Sequence, residues 1–308
     1  MEIAFSIVII NFNTSSLTFD CVKSIFETTP SHFNFEVVVV DNASKYEDYL
    51  DLKKDITSYN KANITLFRSK INAGFALGNM MGMQFTRGKY IAFINNDVVL
   101  VQDSFSTIID YFEKNDDIGV IGLQPIYENN KKQVAFGHFD TFYNRFLGYW
   151  LFEKMNPNKI KRHKLYFEPV SVDYVVGSFM FFKASTFNEI GGFDTNLFLY
   201  FEEMDICKRL KNVDLKTIFF PTIDYIHING ASTNLGYVKK IELKVSHLYI
   251  VRKNHGYLNF IALKYFFIIQ YFFKSIFSPK HLKMLFKLIT LGPPLSASIR
   301  HLQKIQEK

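Results

Sequence analysis

The sequence has little cysteine: Cys21 and Cys207 are its only two, far apart in 308 residues. That excludes a disulfide-stapled fold, and no Cys/His pairs stand at metal-ligand spacing. Two free, buried thiols in a reducing compartment are expected. A secretory leader is missing too. Glu2 stands where a basic segment belongs, and the apolar run 7–10 is short and stops at Asn11. A cytoplasmic location follows as the expectation. Neither a dinucleotide-binding fingerprint nor a P-loop occurs, and there are no internal repeats. Charged residues make up 21% and hydrophobic ones 48%, so a disordered chain is excluded and a sizeable core is available.

Aromatic residues are plentiful, with 34 Phe. Part of that excess is expected on surface that meets lipid or a partner. The net charge of +7 is uneven: from Val238 onward 13 Lys and Arg stand against Glu242 and Glu307, a surplus of 11. The preceding 237 residues carry 23 basic against 27 acidic side chains. A basic tail on an acidic body points to an anionic membrane surface, and no nucleic acid partner is expected.

Strand and helix signals alternate through the first third. Residues 3–10, 36–40, 64–67, 90–94 and 119–123 read as strands, and 17–26, 46–59, 75–86 and 104–114 as helices. The unbroken valines at 37–40 mark a strand covered on both faces. This order predicts an α/β fold, a Rossmann-like, mostly parallel sheet flanked by helices. Residues 124–170 read as hairpins and loops. Strand-like residues 172–182 broken at Gly177, a helix at 184–190, a turn at Gly191-Gly192, a helix from Glu203 to Lys211 and a strand at 217–220 follow. The tail is apolar and aromatic over 258–277 and again over 282–291, ending at Gly292-Pro293-Pro294.

In such sheets ligands bind beyond the carboxyl ends of the strands. Asn11–Asn13, Asp41-Asn42 and Asn95-Asn96-Asp97 all fall there, where turns and helix caps also favour Asn and Asp. Hard oxygen donors at 95–97 suit Mg²⁺ or Mn²⁺ holding a diphosphate. Asn72-Ala73-Gly74 opens a helix whose N-terminus favours phosphate. Glu202, Glu203 and Asp205 crowd a helix start; Glu202 and Asp205 share a face and Glu203 points away. His227, with Asn229-Gly230 behind it, follows an apolar strand and is either a core residue or a metal ligand.

Taken in order, residues 8–13, 38–44, 72–76, 95–97, 191–194, 202–205 and His227 resemble the family 2 glycosyltransferases of GT-A fold, closest to their rhamnosyltransferase-like branch, over roughly residues 3–235. The resemblance implies that Asp41 binds the nucleobase edge and that Asn11, Asn13, Asn42, Asn72, Gly74, Asn95, Asn96 and Asp97 line the donor site. It makes Asp97 the metal-binding end of an Asp-X-Asp element whose first position is here Asn95, with His227 a second ligand for Mn²⁺ or Mg²⁺. Glu203 falls where the family has its general base, usually Asp, and Glu202 is the alternative. The implied reaction is inverting transfer from a UDP- or dTDP-sugar to an acceptor glycan, in surface polysaccharide or lipid-linked oligosaccharide synthesis. One carboxylate base suffices for a single displacement, whereas glycoside hydrolases need two.

Two other readings compete. A sugar nucleotidyltransferase wants a basic, Gly-rich loop after the first strand, but no Lys or Arg precedes Lys23. An inactive, membrane-docked scaffold is what the Asn95 and Glu203 departures would support. The expected organisation is a catalytic domain at 1–237, with a nucleotide-binding half (1–123) and an acceptor half (124–237), and a membrane-associating region at 238–308. A membrane span needs about 20 apolar residues with few charges, and Lys264 and Lys274 interrupt 258–277. An interfacial helix, peripheral on the inner face of the membrane, is therefore expected over a span or a core-packed helix pair.

Overall fold

The computed structural model describes residues 2–228 and 236–307. Asn229 and Gly230, noted behind His227, lie outside the described residues. The first third alternates as expected: β1 (Phe5–Asn11), α1 (Ser15–Thr28), β2 (Phe35–Asp41), α2 (Tyr46–Tyr59), β3 (Ile64–Arg68), α3 (Gly74–Met83), β4 (Tyr90–Asn95), β5 (Val98–Leu100), α4 (Ser106–Lys114) and β6 (Ile118–Ile126). Then come β7 (Phe136–Gly137), α5 (Phe142–Leu147), α6 (Tyr149–Met155), β8 (Val170–Val172), β9 (Tyr174–Val175), β10 (Phe179–Lys183), α7 (Ala184–Glu189), α8 (Glu202–Lys211) and β11 (Lys216–His227). The described chain closes with α9 (Tyr237–Phe277) and α10 (Leu282–Thr290).

The main sheet runs β3-β2-β1-β4-β10-β6-β11-β5, with β8 also paired to β11. The first four strands are parallel, and β10, β5 and β8 run against their neighbours. The valines of β2 explain why the sheet is covered twice. Val37 and Val39 enter one core with α1, α2 and α4, whereas Val38 and Val40 enter a second with α3, α7 and α8. Each buried valine contributes about 1.5–3 kcal/mol, so a charge at either parity breaks a core. Helix α3 packs closely on the sheet at Gly82, where a Cβ would lie 2.5 Å from Val8.

Three expectations need correction. Residues 124–170, read as hairpins and loops, contain the helices α5 and α6. Thr141 caps α5 by accepting from the Asn144 N–H, and Asn144 Oδ1 accepts from the Thr141 N–H in return. The strand read at 217–220 runs on to His227, because β6 and then β5 continue to offer it hydrogen-bond partners. The tail helix starts at Tyr237 and breaks at Gly256, whose φ of 81° is left-handed.

The two halves of α9 fold back on each other. Val245, Leu248 and Val251 before the break meet Phe260, Leu263 and Phe267 after it, and Met284 and Leu288 of α10 complete the cluster. Beyond α10 the chain returns to the sheet. The Gln306 N–H donates to the Lys70 carbonyl at 2.7 Å, and its side-chain amide donates to the Ala43 carbonyl at 3.1 Å. Both cysteines are buried and free.

Candidate active site

Strand register lines up the first set of residues. Asn11 pairs with Asp41, and Asp41 with Arg68, so the last residues of β1, β2 and β3 form one row; Asn95 of β4 stands beside Ile10. Asn11 is buried and donates to Asp41 Oδ1, Ser44 Oγ and Asp48 Oδ2, while its own oxygen accepts from Thr18. Asp41 is fully buried, and its second oxygen accepts from Arg68 at 2.5 Å. The Arg68 guanidinium also lies 4.5 Å from the Tyr49 ring centre.

Asn13 has φ 57°, a left-handed conformation that Asn tolerates. Its oxygen accepts from the Lys45 N–H. Asn42, also buried, accepts from the Ala73 N–H and donates to the Asn72 side chain and the Gly74 carbonyl. It therefore shapes the turn into α3. Gly74 is required there: φ is +75°, and a Cβ would overlap the Phe198 carbonyl.

Asn95, Asn96 and Asp97 divide their tasks. The Asn95 N–H donates to the Ser178 carbonyl, and the Asn96 amide donates to Thr14 and Thr18. Asp97 lies 3.3 Å from His227 Nε2. The cause is register: β11 pairs antiparallel with β5, His227 opposite Val98, so the imidazole reaches the residue just before β5. The Ile228 N–H closes the junction on the Asp97 carbonyl. Among the described residues no three His, Cys, Asp or Glu side chains form a metal-sized cluster. Asp97 and His227 are thus a two-residue set, and a cation held between them would need further ligands from outside these side chains.

The glutamate pair opens α8 after two left-handed aromatic residues, Tyr200 (φ 77°) and Phe201 (φ 72°). Such backbone costs on the order of 1–3 kcal/mol per residue and persists only where its surroundings enforce it. Here α9 supplies those surroundings. Ser246 donates to the Leu199 carbonyl, and the His247 ring stacks 4.7 Å from Phe201 with Nε2 2.9 Å from Asp140. As the helical spacing predicts, Glu202 and Asp205 turn inward. Asp205 meets Arg209 at 2.8 Å and Lys253 at 2.6 Å.

Glu202 Oε1 is buried without a hydrogen-bond partner. Burial, and then the neighbouring Glu203 charge, push its carboxyl well above the usual range. Glu203 is half-buried and lies against Gly177. Burial raises its carboxyl to about 7. Gly177-Ser178 thereby joins two distant motifs: Glu203 abuts Gly177, and the Ser178 carbonyl holds Asn95.

Sequence reasoning missed Arg68, Ser178 and the His247 support. Arg68 did leave a signal, a lone basic residue ending the strand next to Asp41. Ser178 and His247 left none, because only packing brings them to the site. A cavity of about 210 Å³ opens beside Phe12, Asn13, Lys45 and Asn72. A larger one of about 460 Å³, lined by His138, Lys159 and Asp173, holds none of the expected site residues.

Residues 6–191 match the family described as Glycosyl transferase family 2. The chain is 25% identical over 245 residues to the rhamnosyltransferase WbbL of Escherichia coli (strain K12), covering 76% of this chain and 89% of that protein. It is 31% identical over 62 residues to the N-acetylglucosaminyl-diphospho-decaprenol L-rhamnosyltransferase of Mycobacterium tuberculosis, 20% of each chain. Its fold is shared with the crystal structure of GalNAc-T7 with UDP, GalNAc and Mn²⁺, at a TM-score of 0.62 and 17% identity, over 82% of this chain and 48% of that one. It thus spans most of WbbL, a fifth of the mycobacterial protein and under half of GalNAc-T7. A family match over most of the chain, a GT-A fold and a rhamnosyltransferase relative agree: this chain belongs to glycosyl transferase family 2 and is a glycosyltransferase.

Proposed function

We propose that this glycosyltransferase moves a sugar from a UDP- or dTDP-sugar to a hydroxyl of a lipid-linked or surface glycan, with inversion, using Glu203 as base. The observation that carries the reading is Glu203 itself. Burial raises its carboxyl to about 7, and Gly177-Ser178 ties it to the strand ends proposed to read the donor. Burial and the neighbouring Glu203 charge hold the Glu202 carboxyl well above the carboxylate range too, and two adjoining carboxyls disfavour a double charge, so the pair supplies one base. The acceptor O–H gives its proton to Glu203 as the oxygen bonds to the anomeric carbon. The bond from that carbon to the diphosphate breaks, and the nucleoside diphosphate leaves with the electron pair. One displacement inverts the carbon.

Asp97 and His227, a carboxylate and an imidazole side by side, fit Mn²⁺ or Mg²⁺. Such a cation supplies charge neutralisation for the departing diphosphate. The strand-end amides and Arg68 orient the nucleotide.

For the acceptor, the relatives named for rhamnosyl transfer, one of them to a decaprenyl-diphosphate-linked sugar, support a lipid-linked glycan. The C-terminal region supports a place at the inner membrane face. α9 is long and apolar enough to cross a membrane, yet only 17% of its most apolar stretch is buried in the protein. Phe272, Phe273, Phe277 and Phe286 are exposed near Lys274, Lys280, Lys283 and Lys287, as an interfacial helix requires. Part of the basic surplus acts inside the fold. Lys253 pairs with Asp194 and Asp205, Lys264 donates to the Leu291 carbonyl, and Lys244 lies over the Phe267 ring, burial lowering it to about 8.

Calorimetric titration of UDP and dTDP with and without Mn²⁺ tests the donor site. The nucleotide that binds should bind more tightly with Mn²⁺, and Asp97→Ala should erase that difference. Equal affinity with and without the metal overturns the assignment of Asp97 and His227.

A further inference from the structure

The end of the described chain lies on the donor side of the sheet. Residues 303–307 have no regular structure and cross the carboxyl ends of β2 and β3. Gln306 fixes the crossing through its two bonds to Lys70 and Ala43. Ala43 has φ +60°, a left-handed conformation unusual for a residue with a Cβ. It directly follows Asp41-Asn42.

The crossing also bounds a cavity. Phe12, Asn13, Lys45 and Asn72 line one side, and Gln303 and Gln306 line the other. At about 210 Å³ it is smaller than the roughly 300–1,000 Å³ of whole-ligand sites. That size suits one planar ring rather than an entire nucleotide sugar. Phe12 is 45% exposed there and offers a flat face for stacking. Gln303 and Gln306 commit their amide nitrogens to the Ile299 and Ala43 carbonyls, which leaves their oxygens to accept from the imide N–H of a pyrimidine.

We infer that residues 302–306 are the outer wall of the nucleobase subsite, so that the donor is bound jointly by the β1–β2 edge and the C-terminal segment. The inference rests on the nucleotide-sugar reading above. Two consequences follow. Nucleotide binding and seating of the segment stabilise each other by linkage. The segment is also tied to the tail, since the Ile299 N–H and Ser298 hydroxyl donate to Glu242 of α9; tail and base pocket share one scaffold.

The test compares the full chain, a variant ending at Arg300, and Gln306→Ala. UDP and dTDP are titrated by calorimetry with Mn²⁺, and hydrogen exchange is followed over residues 299–307. Removing the wall should weaken the nucleotide that binds by about tenfold, the effect of one or two lost hydrogen bonds and a ring contact. Gln306→Ala should weaken it a few-fold, keeping the test open should the shortened chain fail to fold. Nucleotide should slow exchange in the segment of the full chain. Unchanged affinity in both variants overturns the inference alone, and tighter binding in the shortened chain overturns it by making the segment a competitor. If neither nucleotide binds the full chain, the nucleotide-sugar reading falls and takes the inference with it.

Discussion

The two halves of α9, divided at Gly256, differ in sequence, the first charged and the second apolar and aromatic, and hold different positions. The half before the break carries polar groups that meet groups elsewhere in the fold. Glu242 accepts from Ser298 and Ile299, Ser246 donates to Leu199, His247 meets Asp140 and Lys253 meets Asp194 and Asp205. The half after the break buries Phe260, Leu263 and Phe267 on one side and exposes Tyr265, Phe272, Phe273 and Phe277 on the other. Composition already separates them, with six charged side chains before the break against Lys264 and Lys274 after it, and the partnered polar groups fix where the first half sits. Burying a polar group costs free energy unless a partner is positioned for it, so the proximal half fits only where its partners stand. The distal half has fewer such groups, Lys264 on the Leu291 carbonyl among them, and leaves its outer rings exposed.

Glu203, the residue that the proximal half supports through Phe201, sets the scale. Glu203→Gln should lower kcat by about 10²–10⁴-fold, the usual worth of a general base, with nucleotide affinity unchanged. Near wild-type turnover beside a dead Glu202→Gln would transfer the role to Glu202.

The pH profile follows from the same carboxyl. Because burial raises it to about 7, kcat/KM should climb as pH rises through 7, where Glu203 loses its proton. A raised carboxyl contributes stability that is present at low pH and lost as pH rises through that value. Glu203→Gln should therefore raise Tm at pH 8 and leave it nearly unchanged at pH 4.

His247→Ala tests the proximal half directly. It removes the stack on Phe201 and leaves Asp140 short of a partner, a loss of about 1–3 kcal/mol in stability. kcat should fall about tenfold with the donor KM unchanged. His247→Phe, which keeps the stack, should recover most of kcat. A lowered Tm with kcat intact would reduce the proximal half to a structural brace.

The smallest effect belongs to the distal half. Phe277→Ser should lower co-sedimentation with phosphatidylglycerol vesicles a few-fold, because a ring worth about 1.5–3 kcal/mol when fully buried is only partly immersed at an interface. Turnover on a soluble acceptor should not change. A fall in that turnover would mean that the distal half, too, supports the site.

Much of the first third was legible because local rules agree with the global fold there. The valines of β2 announce a doubly covered strand, and the helix read at 46–59 is α2. The gathering of Asn11, Asp41 and Asn95 at one sheet edge also followed, since parallel strands bring their carboxyl ends together. Where the local signal misled, a long-range partner decided. Residues 142–155 became helices as part of the packing against α9, Phe142 lying among the residues of its cluster. The tail helix gained its first turns from polar contacts that no periodicity scan registers.

By itself the sequence determined the α/β architecture, the motif order and the carboxylates and amides offered to a ligand, because each is written in residues close together along the chain. Only the tertiary structure decided which of them meet. The register of β11 on β5 brings His227 to Asp97, and Gly177-Ser178 spans from Glu203 to Asn95. His247 braces the left-handed turn before α8, and Gln306 returns across 263 residues to the turn after β2. Such contacts depend on loop closure and on packing shared among elements, and neither leaves a local pattern in the chain.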